Sequence, residues 1–313
     1  MPESLRLDRL VLARHPEFTR SRIEGLVKAG FVTVNGAVAG KAGMKVSEED
    51  EIEVELPPPV PAVPEPEDVP LSIVFEDDDM IVVDKAPGMV VHPAPGHFSG
   101  TLVNALLGHC PALSGIGGVA RPGIVHRLDQ YTSGLIAVAK SQAAMEGLAR
   151  AFASHSCVEK TYLAVCHGRP RLDSGRIENM IGRHPVDRKR MAVVERNGKR
   201  AVTEWRVVNA RRDGRIGATS VVVCRIETGR THQIRVHMAS LGCPVIGDAT
   251  YGKPALDRRL DPPPARQMLH AWRLSLWHPV KNARMSFEAP VPADMSAYIG
   301  AAQTAELEKW TTS

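Results

Sequence analysis

The chain has 313 residues, 43% of them hydrophobic, which is enough for one sizeable core and a second, smaller unit. No apolar run approaches the roughly 20 residues of a bilayer span, and the opening Met-Pro-Glu-Ser-Leu-Arg has no apolar signal core. Five cysteines, an odd number with no CxxC pair, exclude a disulfide framework or a zinc knuckle and point to a reducing cytoplasm. The net charge of +4 hides an asymmetry: thirteen acidic and no basic residues fall within 48–79, leaving 39 basic against 22 acidic elsewhere. A chain that basic outside one acidic connector fits a polyanionic partner.

Residues 1–56 read as one unit. A helix is expected over about Arg9 to Arg14 with Asp8 as its cap. Ser21-Arg22-Ile23-Glu24 has the form of a capping box opening a second helix that runs to Ala29, with Gly30 closing it. Phe31 to Val38 alternates β-formers around Asn35-Gly36, a strong hairpin signal, and Glu51 to Leu56 supplies a closing strand. Arg20 and Arg22 stand on its basic side, facing either phosphate or solvent. Residues 57–70 carry seven prolines and several acids, the composition of a semi-rigid extended linker.

The large domain is expected over 71–300, with 301–313 as a tail. Met80 to Lys85 reads as a strand after the acidic run Glu76-Asp77-Asp78-Asp79, itself read as a solvated turn rather than a metal site. A short helix is expected over 101–109 with Thr101 as cap. Leu135 to Ala139 is an apolar run of strand length, preceded by the polar sequence His126-Arg127-Leu128-Asp129 and the turn chemistry of Thr132-Ser133-Gly134. Asp129 is therefore a loop carboxylate on a rigid strand, which suits either chemistry or an ion pair with Arg127. Ser141 caps a helix with Met145, Leu148 and Phe152 on one face. Val158 to Val165 and Ser220 to Glu227 are strands. Residues 181–215 hold eleven basic against four acidic residues, with Arg188-Lys189-Arg190 at the start of a hairpin that turns at Asn197-Gly198. Thr231 caps a helix carrying Ile234, Met238 and Leu241, closed by Gly242, with Arg230, His232, Arg235 and His237 decorating its start. Trp272 to Leu276 alternates like an edge or half-buried strand. Many strands and few helices give an α+β fold: a mainly antiparallel mixed sheet with flanking helices, beside a small N-terminal αβ unit.

Four blocks in register carry a resemblance. They are Lys85-Ala86-Pro87-Gly88 with Val91-His92-Pro93, the His126–Gly134 loop, Lys160-Thr161-Tyr162-Leu163-Ala164, and Gly229-Arg230-Thr231-His232-Gln233-Ile234-Arg235-Val236-His237. Together they resemble the RluA/RluD family of pseudouridine synthases, and Arg183-His184-Pro185 with Gly247-Asp248 and Tyr251-Gly252 look closest to its large-subunit-rRNA branch. The first 56 residues are similar to the S4 RNA-binding domain. The resemblance implies isomerisation of uridine to pseudouridine in RNA, on large-subunit rRNA or a pre-ribosomal particle, by a monomer needing neither cofactor nor metal. It implies that Asp129 is the catalytic carboxylate and Arg235 its bidentate partner, keeping it ionised. Tyr162 would stack on the target base, with Ile234 as an apolar wall. Arg127 would fill the gap left by the flipped base. His126, Thr132, Arg20, Arg22, Arg188, Lys189 and Arg190 are the further expected RNA contacts. Asp129 can add to the anomeric carbon or take the C2′ proton, and both routes stay open. The competing reading is a non-catalytic RNA-binding or ribosome-assembly protein on the same fold.

Overall fold

The computed structural model describes residues 4–56, 63–94, 96–118, 121–154, 157–214 and 216–300. The expected tail and residues 57–62 of the expected linker lie outside them. The chain divides into two compact units, 1–61 and 62–313.

The small unit packs helices Leu7–Arg14 and Arg20–Lys28 with the strands Val32–Val34, Ala37–Val38 and Ile52–Val54 around Leu7, Val11, Ile23 and Val32. Asn35 and Gly36 both have positive φ, as the tight two-residue hairpin requires. Two caps differ from expectation. The second helix is capped by Thr19, whose hydroxyl accepts from the Arg22 N–H, two residues before the sequence placed it. Asp8 lies inside the first helix, almost fully buried, where its carboxylate accepts from Arg6 and Arg20. The Arg6 hydrogen bond leads in holding that carboxyl down at about 2.

The large unit is built on a ten-stranded sheet. Its path runs Met191–Val193, Ser174–Arg183, Lys199–Asp213, Gly217–Ile226, Val158–His167, Leu269–Trp277, Ser133–Ala139, Met80–Lys85, Ser72–Glu76, and Arg284–Glu288 pairs with Leu269–Trp277 off that path. Every described pairing is antiparallel except the short parallel contact of Ser133–Ala139 with Leu269–Trp277. Leu269–Trp277 is thus an interior strand, not an edge. Alternate residues feed two cores. Ile81, Val83, Ile136 and Val138 pack with Leu102 and Leu106 of helix Leu102–His109. Met80, Val82, Leu135 and Ala137 pack with Leu148 and Phe152 of helix Gln142–Ser154. Burial of alternate residues on both faces explains why Leu135 to Ala139 is apolar throughout.

Two acidic stretches do structural work instead of staying solvated. Glu67 accepts from the Gly100 N–H, and its own N–H donates to the Asn104 carbonyl, so part of the expected linker is docked beside helix Leu102–His109. Asp77 accepts from the N–H groups of Asp79 and Met80, and from His278 and Lys281. The Lys281 ammonium, 2.6 Å away, already supplies the positive charge a cation would bring to Asp77.

Gly134 is where the parallel contact begins. Its φ is +109°, and a Cβ there would fall 2.2 Å from the Ala271 carbonyl oxygen. Gly134→Ala is expected to cost about 2 kcal/mol or more, a fall in Tm of roughly 4–8 °C in thermal unfolding. An unchanged Tm would mean that this approach relaxes without cost.

Candidate active site

Helix Gln233–Ser240 does not lie on the surface as an amphipathic element would. Gln233 through Met238 are all buried. Its start is set by Gln233: the side-chain amide donates to the Val202 carbonyl and the Thr203 hydroxyl, and its oxygen accepts from Thr228 and the Arg230 N–H. His237 joins Thr203 and Asn179. The N-cap is His232, in the left-handed region at φ 57°, rather than Thr231. A helix sewn to the sheet in this way carries Arg235 at a fixed position facing the loop before Ser133.

Arg235 is the hub. Its Nε and Nη2 donate to the two oxygens of Asp248, at 2.7 and 2.8 Å. Its Nη1 donates to Oδ2 of Asp129 at 3.0 Å. The bidentate contact therefore belongs to Asp248, and the contact to Asp129 is single. Asp248 is completely buried and also accepts from the N–H groups of Thr250 and Tyr251. This geometry leaves Oδ1 of Asp129 without a partner among the described residues, on a carboxylate still 17% exposed. One oxygen is oriented and the other is offered.

The loop bearing Asp129 is clamped residue by residue. Lys85, fully buried, donates to the carbonyls of Ala86, Met89 and Gln130. Burial pushes its ammonium down to about 7, while three carbonyl acceptors match the three hydrogens of the charged form. Arg266, held by Asp294, donates to the Tyr131 carbonyl. Gln267 donates to the Thr132 hydroxyl, and Ser133 meets Nδ1 of His270. Thr132, expected against RNA, is thus buried and spent on Gln267.

Asp129 lines a narrow cleft of about 60 Å³ together with Arg127, Thr132, Tyr162, Ile234 and Leu269. Tyr162 comes from strand Val158–His167 and is 7% exposed. Burial, with Asp129 nearby, pushes its phenol up, so it stays protonated. Arg127 is exposed, with no side-chain partner among the described residues. His126 is different: its Nε2 accepts from the Ala137 N–H at 2.9 Å and its ring stacks on Phe152 at 4.3 Å. It is a latch between loop and strand, and it also lines a larger cavity beside the cleft. Arg188 and Lys189 are exposed on the loop after Ser174–Arg183, while Arg190 lies over the ring of Tyr251 at 5.2 Å. In the small unit Arg20 is tied to Asp8, and Arg22 lies over Phe18 at 5.4 Å.

Asp248, Lys85, Arg266 and Gln267 went unassigned in the sequence. Gly247-Asp248 and Lys85 stand in family-like blocks, but nothing in their neighbours reveals contacts to Arg235 or Gln130.

Residues 79–240 match the RNA pseudouridylate synthase family, and residues 5–52 match the S4 domain. The chain is 45% identical over 298 residues to Ribosomal large subunit pseudouridine synthase D of Zymomonas mobilis, covering 93% of this chain and 91% of that one. It is 42% identical over 307 residues to the protein of the same name from Nitrosomonas europaea, covering 95% of this chain and 84% of the relative. Among solved structures, Human RNA Pseudouridylate Synthase Domain Containing 1 superposes with a TM-score of 0.60 at 28% identity, covering 78% of this chain and 96% of that one. The chain belongs to the RNA pseudouridylate synthase family, carries an S4 domain, and is an enzyme that isomerises uridine in RNA.

The His126 latch has a pH signature. Burial pushes the imidazole down to about 3, against about 6.5 in the unfolded chain. The unfolded state therefore binds the extra proton between those values, and stability is lost as pH falls below about 6.5. Between pH 7 and 5 the wild type should lose about 2 kcal/mol more unfolding free energy than His126→Gln, measured by denaturant titration. Parallel pH profiles for the two proteins would show that His126 is not buried neutral.

Proposed function

We propose that the substrate is large-subunit rRNA and that Asp129 is the catalytic carboxylate. The observation that carries this reading is the Asp129–Arg235–Asp248 arrangement at the mouth of a cleft walled by Tyr162 and Ile234. The names borne by the Zymomonas and Nitrosomonas relatives support large-subunit rRNA as the substrate.

The reaction breaks the N1–C1′ bond, turns the base, joins C5 to C1′, and moves the C5 proton to solvent or a base. It conserves atoms and electrons, so it calls on neither a redox cofactor nor an energy source. A paired uridine must first leave its stack, at a few kcal/mol. Arg127, exposed beside the cleft, would occupy the vacated stack with its planar guanidinium. Tyr162 and Ile234 would bracket the base, and the protonated phenol would donate to it. Oδ1 of Asp129, the oxygen Arg235 leaves open, would meet the sugar, whether by addition to C1′ or by removal of the C2′ proton. Arg235 would hold the carboxylate through either route. The exposed Arg188 and Lys189 would meet phosphate, as would the S4 unit, giving binding that weakens steeply with salt.

No helix among the described residues is long and apolar enough to cross a membrane. Cys110, Cys166, Cys224 and Cys243 carry free thiols, which supports the reducing cytoplasm as the place of action.

RNA carrying tritium at uridine C5 reports the reaction by label release to water. Release is expected from large-subunit rRNA and not from small-subunit rRNA or tRNA. Asp129→Asn should lower the single-turnover rate roughly a thousandfold or more while changing RNA affinity little. A rate within about tenfold of wild type would remove Asp129 from the catalytic role. Release only from another RNA would replace the substrate.

A further inference from the structure

Beside the narrow cleft lies a second and much larger cavity, of about 500 Å³. That is within the roughly 300–1,000 Å³ range of small-ligand sites. Its cationic lining is Arg121, Arg127, Lys160 and Arg230, and among the described residues it includes no carboxylate. The rest of its wall is largely apolar, with Phe152 and Ile226 prominent.

Two buried polar groups line it with hydrogen-bonding capacity unspent. Lys160 is 6% exposed, yet its ammonium makes one long hydrogen bond among the described residues, to the Glu227 carbonyl at 3.4 Å. The ammonium also lies 5.7 Å from the centre of the Phe152 ring. His92 is 8% exposed, and its Nδ1 has no partner among the described residues. A buried cation with most of its donors unused is costly unless something fills the space before it. Burial, with Arg230 near, pushes Lys160 down to about 8. An acceptor entering the cavity would relieve that cost.

The cavity shares Arg127, Tyr162, Ile226, Gly229 and Arg230 with the cleft at Asp129. An RNA strand with its uridine in the cleft has its next phosphate and base within one backbone repeat of this space. We propose that the cavity is a second nucleotide subsite: the nucleotide adjoining the target seats its phosphate on Arg121 and Arg230 and its base against Phe152, within reach of Lys160. The inference rests on the rRNA-substrate reading above. It assigns to Lys160 and Arg121 the choice of which uridine enters, since a flanking base that fits helps hold the target in place.

Affinity in the Asp129→Asn background tests this without turnover. The probe is a target stem-loop RNA, intact or abasic at each nucleotide next to the target. One abasic position should weaken binding at least about fivefold, as loss of a stacked base does, and Lys160→Met should erase that difference. Arg121→Gln, an exposed change that leaves the core alone, should likewise erase the penalty of replacing the adjoining phosphate with a neutral methylphosphonate. If neither adjoining abasic position weakens binding, or if both penalties persist in the variants, the subsite does not exist. If Lys160→Met fails to fold, the Arg121→Gln arm decides alone. Tritium release by the wild-type chain from the same intact RNA reports separately on the isomerase reading, so the two can fail independently.

Discussion

One guanidinium holds the site together. Arg235 is almost fully buried, and a long side chain there must be fixed by charge to be of use. Asp248 supplies that fixing with both oxygens, which leaves Arg235 a single N–H for Asp129. Had Arg235 gripped Asp129 with its fork, both carboxylate oxygens would be engaged and neither free for a sugar. The division of contacts orients Asp129 and keeps one oxygen open. It also explains why two carboxylates can share one cation in a buried place. Each lies against the guanidinium, and removing Arg235 would strand both carboxylates at a cost of about 3–5 kcal/mol.

Everything around this triad serves to keep the Asp129 loop from moving. Four consecutive residues after Asp129 are tied from behind, by Lys85, Arg266, Gln267 and His270. Gly134 lets the loop end in a strand pressed against Ala271. These ties come from two strands that the topology makes neighbours and from the segment leading into one of them: Met80–Lys85 on one side of Ser133–Ala139, and on the other Leu269–Trp277 with Arg266 and Gln267 just before it. A reacting group misplaced by about 1 Å can lose a hundredfold in rate, so the sheet's contribution to catalysis is rigidity.

The sequence showed the parts whose signal is local. Asn35-Gly36 marked its hairpin, Thr101 and Ser141 marked helix starts, and the apolar run after Gly134 marked its strand. The resemblance brought Asp129, Tyr162 and Arg235 to one place. What stayed hidden depends on residues far apart in the chain. Asp248 is thirteen residues from Arg235 and Lys85 is 45 from Gln130, and no periodicity links such pairs. The errors have the same origin. His126 and Thr132 are polar residues in a functional loop, so they read as contacts for RNA. In tertiary structure Gln267 takes up the Thr132 hydroxyl, while Ala137 and Phe152 hold His126 at the wall of the larger cavity. Asp8, read as a cap, turns inward to Arg6 and Arg20 because the first helix begins before it, while the Arg20 side chain stays 56% exposed. Trp272 to Leu276 alternates as a half-buried strand does, and it lies inside the sheet because Val158–His167 flanks it on one side and the later Arg284–Glu288 on the other.

The central claim is that Asp248 acts on Asp129 only through Arg235. A double-mutant cycle on the single-turnover rate at saturating RNA measures this directly, using Asp248→Asn, Arg235→Gln and the double variant, with folding checked by Tm. If the three residues work as a unit, each single change should cost about as much as both together, to within roughly threefold. Penalties that multiply in the double variant would mean that Asp248 and Arg235 act separately, and the anchored arginine would not be what positions Asp129.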